Sequence, residues 1–181
     1  MNMQKIHKCN RLLAAADTLS MKEMHLTEGQ NGEKLTRFEQ LGPNALVVAD
    51  RIYGSIPGME HLREQGSGFV LRLRARAFTV YDGEGRKIEL LDQFADLKEG
   101  ESGSIQVYYR VNGQDIPLRI CAMRKEQESE RAGLERLTRT KQRKKHGEPV
   151  SDLQRAYNKY IVAAASLDES VSAKRVLEVY R

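Results

Sequence analysis

Residues 45–54 read Ala-Leu-Val-Val-Ala-Asp-Arg-Ile-Tyr-Gly, an apolar run that ends abruptly in an acid. Two valines occupy its centre, and Pro43 before it and Gly54 after it mark its ends. A short apolar run between such signals is typical of a strand buried on both faces of a mostly parallel sheet. Asp50 would then lie at the carboxyl end of the strand, where open α/β sheets collect ligands and catalytic groups.

The residues around this strand predict an alternation of helices and strands. Residues 9–26 indicate either two strands or a short helix and a strand, and residues 32–41 predict a short helix. Residues 56–65 predict a second short helix closed by Gly66, and residues 69–74 predict the next strand. The first part of the chain therefore has the pattern of an α/β core.

The pattern then changes to antiparallel hairpins. Residues 78–81 and 87–90 flank a glycine-rich turn, and residues 105–111 and 116–120 flank Asn112-Gly113, one of the strongest local hairpin signals. Further on, the chain predicts a charged surface helix with a basic tail, a buried strand at residues 160–165, and a helix capped by Ser172. The fold class expected from these elements is α/β in a mixed α+β arrangement.

Composition limits the class of protein. The 181 residues are 40% hydrophobic and 30% charged, which suits one globular domain, or one domain with an insertion. The sequence contains neither an apolar stretch of about 20 residues nor the apolar core of a signal peptide, so we expect a cytoplasmic protein without a membrane partner. Cys9 and Cys121 are far apart, which indicates neither a disulfide framework nor a cysteine zinc site.

Thirty basic residues against 25 acidic ones give a formal charge of +5, which permits a polyanionic partner without requiring one. Arg72, Arg74 and Arg76 alternate along the predicted strand, where they would either follow a DNA backbone or face solvent at a sheet edge. The other basic cluster consists of Arg139, Lys141, Arg143, Lys144 and Lys145. It is either a sequence-independent phosphate contact or a solvated helix end.

An acid that ends a buried strand is tolerated mainly when it is paired, hydrogen-bonded or bound to a metal. Asp50 is the leading candidate for a catalytic and metal-binding residue. By position alone, however, the better interpretation is that it pairs with Arg51 or caps the following turn.

Residues 47–54, Val-Val-Ala-Asp-Arg-Ile-Tyr-Gly, resemble the segment that holds the second catalytic aspartate of DDE transposases, and most closely those of the insertion-sequence-four family. Residues 25–28, 32–38 and 68–74 are similar to that family's flanking segments. Residues 172–181 are similar to the start of its helix bearing the third acid. Ile52 departs from the pattern, since many relatives have glycine there.

The resemblance implies a ribonuclease H-like core interrupted by a β-rich insertion. Residues 1–76 would form an incomplete core without its first strand, and residues 77–158 the insertion with its charged helix. Residues 159–181 would return to the core and begin the truncated helix of the third acid. Tyr180 matches the tyrosine that precedes this acid, and Asp50 is the single catalytic acid of three that can be placed.

Such enzymes use two divalent metals, Mg²⁺ or Mn²⁺, to cleave and join DNA strands. The resemblance therefore implies a fragment of a transposase catalytic domain, inactive as this chain, whose partners in the complete protein are the element ends and target DNA. Homo-oligomers or mixed oligomers with full-length transposase are also implied. Arg51 would steady the carboxylate, meet a phosphate or remain solvated, and Tyr53 would pack. The alternative function is a non-catalytic DNA-binding or regulatory protein derived from a truncated transposase.

Overall fold

The computed structural model describes residues 13–14, 34–37, 43, 45–144 and 148–179. Its strands are β1 (Leu13–Ala14), β2 (Leu46–Ala49), β3 (Gly68–Arg72), β4 (Val80–Tyr81), β5 (Lys87–Ile88), β6 (Ser102–Val111), β7 (Gln114–Arg124) and β8 (Tyr160–Ala165). Its α-helices are α1 (Ile56–Glu64), α2 (Gln127–Lys144), α3 (Asp152–Asn158) and α4 (Ala173–Val179), and short 3-10 helices occupy Leu35–Arg37 and Asp92–Phe94. Across these ranges no helix combines the length and apolar character needed to cross a membrane.

The described strands form one mixed sheet in the order β1-β2-β3-β8-β7-β6-β4-β5. Only β2 and β3 are parallel among the described pairs, and the others are antiparallel. The mixed α+β class is therefore confirmed, but the expectation of a mostly parallel sheet is wrong. The reason is that β4 to β7 are joined by hairpins and loops that reverse the strand direction, and the two helices between β7 and β8 also return the chain in the opposite direction.

Strand β2 is buried on both faces, as its sequence predicts. Val47 packs with the residues of α1 on one face of the sheet. Val48 belongs to the cluster on the opposite face, together with Val176 and Leu177 of α4. Because alternate side chains point to opposite faces, a strand covered on both sides must be apolar throughout, and this explains the unbroken run that precedes Asp50.

The two predicted hairpins are also confirmed. Strand β4 pairs with β5, and β6 pairs with β7 along their whole lengths. Asn112 and Gly113 both have positive φ, 49° and 81°, as the two central residues of a type I′ turn require. Strands from the predicted insertion lie in the same sheet as the predicted core, because β7 pairs with β8.

Helix α2 docks on α3 through one close contact. The side-chain amide of Asn158, which is 9% exposed, donates to the carbonyl oxygen of Glu130 at 2.6 Å. A Cβ atom built on Gly133 would lie only 2.3 Å from Asn158 Oδ1, so glycine is required for this approach. Helix α3 was not predicted, although Ser151 and Gln154 form a capping box, the usual signal for a helix start.

Helix α4 is held in place by a buried arginine of the central sheet. Arg119 of β7 is 6% exposed and donates to the carbonyl oxygens of Asp168 and Val171 at 2.5 and 2.7 Å. It also donates to Ser104 Oγ at 3.0 Å. The loop before α4 is thereby fixed to the sheet, and the Ser172 side chain then accepts the Arg175 N–H as the predicted cap.

Candidate nucleic-acid interface

The sheet topology brings several charged residues to one edge. The carboxyl ends of β2 and β3 lie side by side because these strands are parallel. Strand β8 runs in the opposite direction, so it begins at this edge, and β7 ends beside it. We call this the Asp50 edge, and its charged residues are Asp50, Arg51, Arg72 and Lys125.

Asp50 follows β2 directly and is exposed. One oxygen of its carboxylate accepts the backbone N–H of Arg51 at 2.7 Å, and its carbonyl oxygen accepts the N–H of Tyr53 at 2.9 Å. The carboxylate therefore caps the tight turn that it begins, as the position-based interpretation holds. This contact comes from the Arg51 backbone, and Arg51 as a whole is exposed in the turn.

Gly54 allows this turn to lie against β3. A Cβ atom at Gly54 would be 2.7 Å from the carbonyl oxygen of Arg72. Backbone atoms cannot rotate away as a side chain can, so a larger residue would push the turn and the strand apart. Tyr53 is buried in the core at 5% exposure and anchors the same turn from below. The glycine and the tyrosine of the quoted sequence thus bring Arg51 and Arg72 to one edge.

Lys125 adds a second layer of positive charge. Its ammonium group donates to the carbonyl oxygen of Asn158 at 2.8 Å, and its side chain is half-buried. Burial lowers the pKa of Lys125, and the nearby Arg72 guanidinium lowers it further. The positive charges of Arg51 and Arg136 act in the same direction, whereas Glu130 opposes them. Lys125 therefore lies in the positive field of arginines from three other segments.

Arg124, beside Lys125, has a different role. Its guanidinium lies 5.2 Å from the centre of the Tyr160 ring and 3.2 Å from a carboxylate oxygen of Glu130. These contacts tie the end of β7 to α2 and β8. Arg124 therefore fixes the position of its neighbour Lys125, and most of its own charge is compensated.

The structure changes the expectation for the arginine-rich strand. Strand β3 ends at Arg72, and Leu73 then donates to the carbonyl oxygen of Val162. Arg74 and Arg76 lie in the following loop, where Arg76 has a positive φ of 56°. The prediction that the three arginines alternate along one strand face is wrong, because the strand pairing stops before the second of them.

The predicted basic cluster of α2 is divided between two sides of the helix. Lys141 faces inward, 18% exposed, and its ammonium group lies 3.3 Å from the carboxylate of Glu148. Arg143 is exposed on the outer side. The Lys144 side chain, Lys145 and Tyr180 lie outside the described residues.

The resemblance implies a site for divalent metals, which needs several oxygen ligands in one place. Within residues 45–144, 148–179 and the short described segments before them, no group of three or more His, Cys, Asp or Glu side chains could hold a metal ion. The described residues thus do not fit a complete metal site.

Sequence reasoning missed Lys125 and Arg136. Lys125 directly follows β7, and this strand ends at the same edge as β3 only because β8 pairs with both. No local pattern in the sequence contains that pairing.

Comparison with known proteins adds no relative to this picture: no family model, no curated protein and no solved structure matches the chain.

Proposed function

We propose that this chain belongs to the catalytic domain of a DNA transposase and that its Asp50 edge binds the phosphate backbone of DNA. The single observation that carries the binding part is that β2, β3 and β7 end at one edge of the sheet, with Arg51, Arg72 and Lys125 at those ends. A concentration of positive charge at one edge favours a polyanionic partner, and phosphate contacts of this kind dominate the affinity of proteins for DNA. The transposase part depends on the resemblance of residues 47–54.

In this proposal, each basic residue has a defined task. Arg51, at the tip of the turn, and Arg72, at the strand end, contact successive phosphates. Lys125 holds positive charge behind them and is kept in place by the Asn158 carbonyl oxygen. Asp50 caps the turn that presents Arg51.

A second candidate is a DNA-binding or regulatory protein that does not cleave DNA. The specific observation in its favour is that the described residues include no group of acids able to hold a metal. The two candidates share the phosphate contacts and differ in the chemistry that follows binding.

The experiment is a salt titration of binding between the chain and a labelled DNA duplex. Each lost phosphate contact should flatten the dependence of log K on log salt by about 0.9. The double variant Arg51→Ala with Arg72→Gln should thus reduce the slope by about 1.8. Arg51→Ala alone, at an exposed position, should reduce it by about half as much.

The matched control removes the same charge at the opposite edge. Lys174 and Arg175 are exposed at the start of α4, which follows the carboxyl end of β8. Because β8 is antiparallel to β3, that end lies away from Asp50. The double alanine variant of these two residues should leave the slope nearly unchanged. Equal slopes for both double variants would contradict the proposed binding edge.

A further inference from the structure

Helix α2 has two faces of different character. Its inward face carries Leu134, Leu137 and Lys141, which are partly buried and recur at the spacing of one helical face. Arg136, Arg139 and Arg143 are all exposed. At about 100° per residue, these three arginines fall within a sector of about 60° on the side opposite the inward face.

This arginine sector has little acidic compensation. Glu135 lies beside it and is 3.6 Å from both Arg131 and Arg139, in pairs exposed to solvent. Exposed pairs of this kind contribute little and are weakened by salt. From residue 136 to residue 143 the helix contains no acid. The outer side of its carboxyl-terminal half is therefore a strongly positive surface, which we call the α2 stripe (Arg136, Arg139, Arg143).

The direction of the stripe is fixed by the docking of α2. Asn158 binds the Glu130 carbonyl oxygen, and the absence of a side chain at Gly133 lets the two helices approach closely. At the other end of the inward face, Lys141 pairs with Glu148. With both ends of that face attached, the three arginines cannot turn inward and must face solvent.

Helix α2 leads away from the Asp50 edge. It begins two residues after Lys125, and Glu130 near its start lies 3.2 Å from Arg124, the residue before Lys125. The positive charge of Arg136 acts on Lys125. The positive surface thus continues from the strand ends onto the helix. From Arg136 to Arg143 the helix rises about 10 Å, which corresponds to about three phosphates of one DNA strand.

We propose that the α2 stripe is a second DNA-binding surface, which continues the phosphate path of the Asp50 edge along the backbone of the same duplex. This inference depends on the proposed function, because it concerns the same partner. In this arrangement Arg136 and Arg139 contact phosphates, whereas Lys141 faces inward and does not. Helix α2 thereby extends the length of DNA that the chain contacts.

The first test is the salt titration with Arg136, Arg139 and Arg143 all changed to alanine. The slope of log K against log salt should fall by up to about 2.7, or three times 0.9. The charge-matched control changes Lys87, Lys174 and Arg175 to alanine, which are all exposed and lie in other elements, β5 and α4. Alanine favours helix, so the stripe variant keeps α2 folded, and circular dichroism checks this.

The second test locates the DNA directly. A benzophenone attached to a cysteine at Thr140, beside the stripe, should cross-link to duplex DNA, whereas the same group at Thr138 on the other flank should not. The two threonines are matched, since both are exposed and each donates to a carbonyl oxygen one turn earlier. A Cys9→Ser background leaves buried Cys121 as the remaining native thiol.

The outcomes separate the two proposals. If the Arg51 and Arg72 variants flatten the slope but the stripe variant matches its control, the inference fails and the proposed function stands. The same conclusion follows if Thr138 and Thr140 cross-link equally. If neither set of variants changes the slope, both proposals fail. A reduced slope together with selective cross-linking at Thr140 establishes the extended path.

Discussion

Replacement of Gly133 by alanine should destabilise the protein, although this change usually stabilises a helix. Inside a helix, alanine is favoured over glycine by about 0.5–1 kcal/mol. Here the new Cβ atom would lie 2.3 Å from Asn158 Oδ1, so the Asn158 side chain must move. Movement breaks its 2.6 Å hydrogen bond to the Glu130 carbonyl oxygen and leaves a buried amide unsatisfied.

The opposing terms set the size of the effect. Loss of a buried hydrogen-bond partner costs about 1–3 kcal/mol. After the gain in helix propensity is subtracted, we expect Gly133→Ala to lower the free energy of unfolding by about 1–2 kcal/mol. For a chain of this size, the corresponding fall in Tm is about 2–8 °C. Urea unfolding followed by circular dichroism measures the change.

A double-mutant cycle isolates the contact. In an Asn158→Ala background the Cβ of residue 133 has space, so Gly133→Ala should there raise stability by about 0.5–1 kcal/mol. The sign of the same substitution should therefore reverse between the two backgrounds. If Gly133→Ala stabilises the protein while Asn158 is present, the close docking of α2 on α3 is refuted.

Three further changes test other parts of the structure. Gly54→Ala should lower the free energy of unfolding by at least about 1 kcal/mol, because its Cβ atom would lie 2.7 Å from the Arg72 carbonyl oxygen. A Tm no lower than that of the parent protein in thermal melting would contradict the contact between the turn and β3. Tyr109 is buried and its hydroxyl donates to the Glu60 carboxylate. Burial raises the pKa of Tyr109 most, and this hydrogen bond raises it further. The folded state thus favours the neutral phenol of Tyr109. Its contribution to stability is fully present below pH about 10 and is lost as the pH rises through the higher pKa of the folded state. Tyr109→Phe should reduce this alkaline loss of stability in urea titrations, and an unchanged pH profile would contradict the role of Tyr109. The chain alone should not nick the ends of its element in the presence of Mg²⁺. Asp50→Asn should leave the affinity for DNA unchanged or slightly raised, because it removes a negative charge. Nicking that Asp50→Asn abolishes would show that the chain holds a working metal site.

Local sequence signals were sufficient for most of the elements. The apolar run at residues 46–49 had to be a strand covered on both faces, because burial on both sides leaves no place for polar residues. Asn112-Gly113 required positive φ at two successive residues and so predicted its hairpin. Ser172 supplied the oxygen that caps α4. Each signal acts over a few residues, where the chain itself determines the geometry.

The positions of the site residues relative to one another could be predicted only for residues that lie in the same segment of the chain. Asp50 and Arg51 were singled out because they follow one recognisable strand. Arg74 was misplaced, because the end of β3 depends on where β8 stops pairing, and β8 lies about ninety residues later in the chain. Lys141 was assigned to DNA, yet its direction is set by the docking of α2, which brings it to Glu148.

The sequence by itself determined the identity of the strands, the turns and the acid at the end of β2, since hydrophobic periodicity and turn chemistry act locally. Only the tertiary structure decided that Lys125 shares a sheet edge with Arg51 and Arg72. Strand order is a long-range choice, made by pairing and by packing on both faces of the sheet. Residues far apart in the chain share an edge only after that choice has been made.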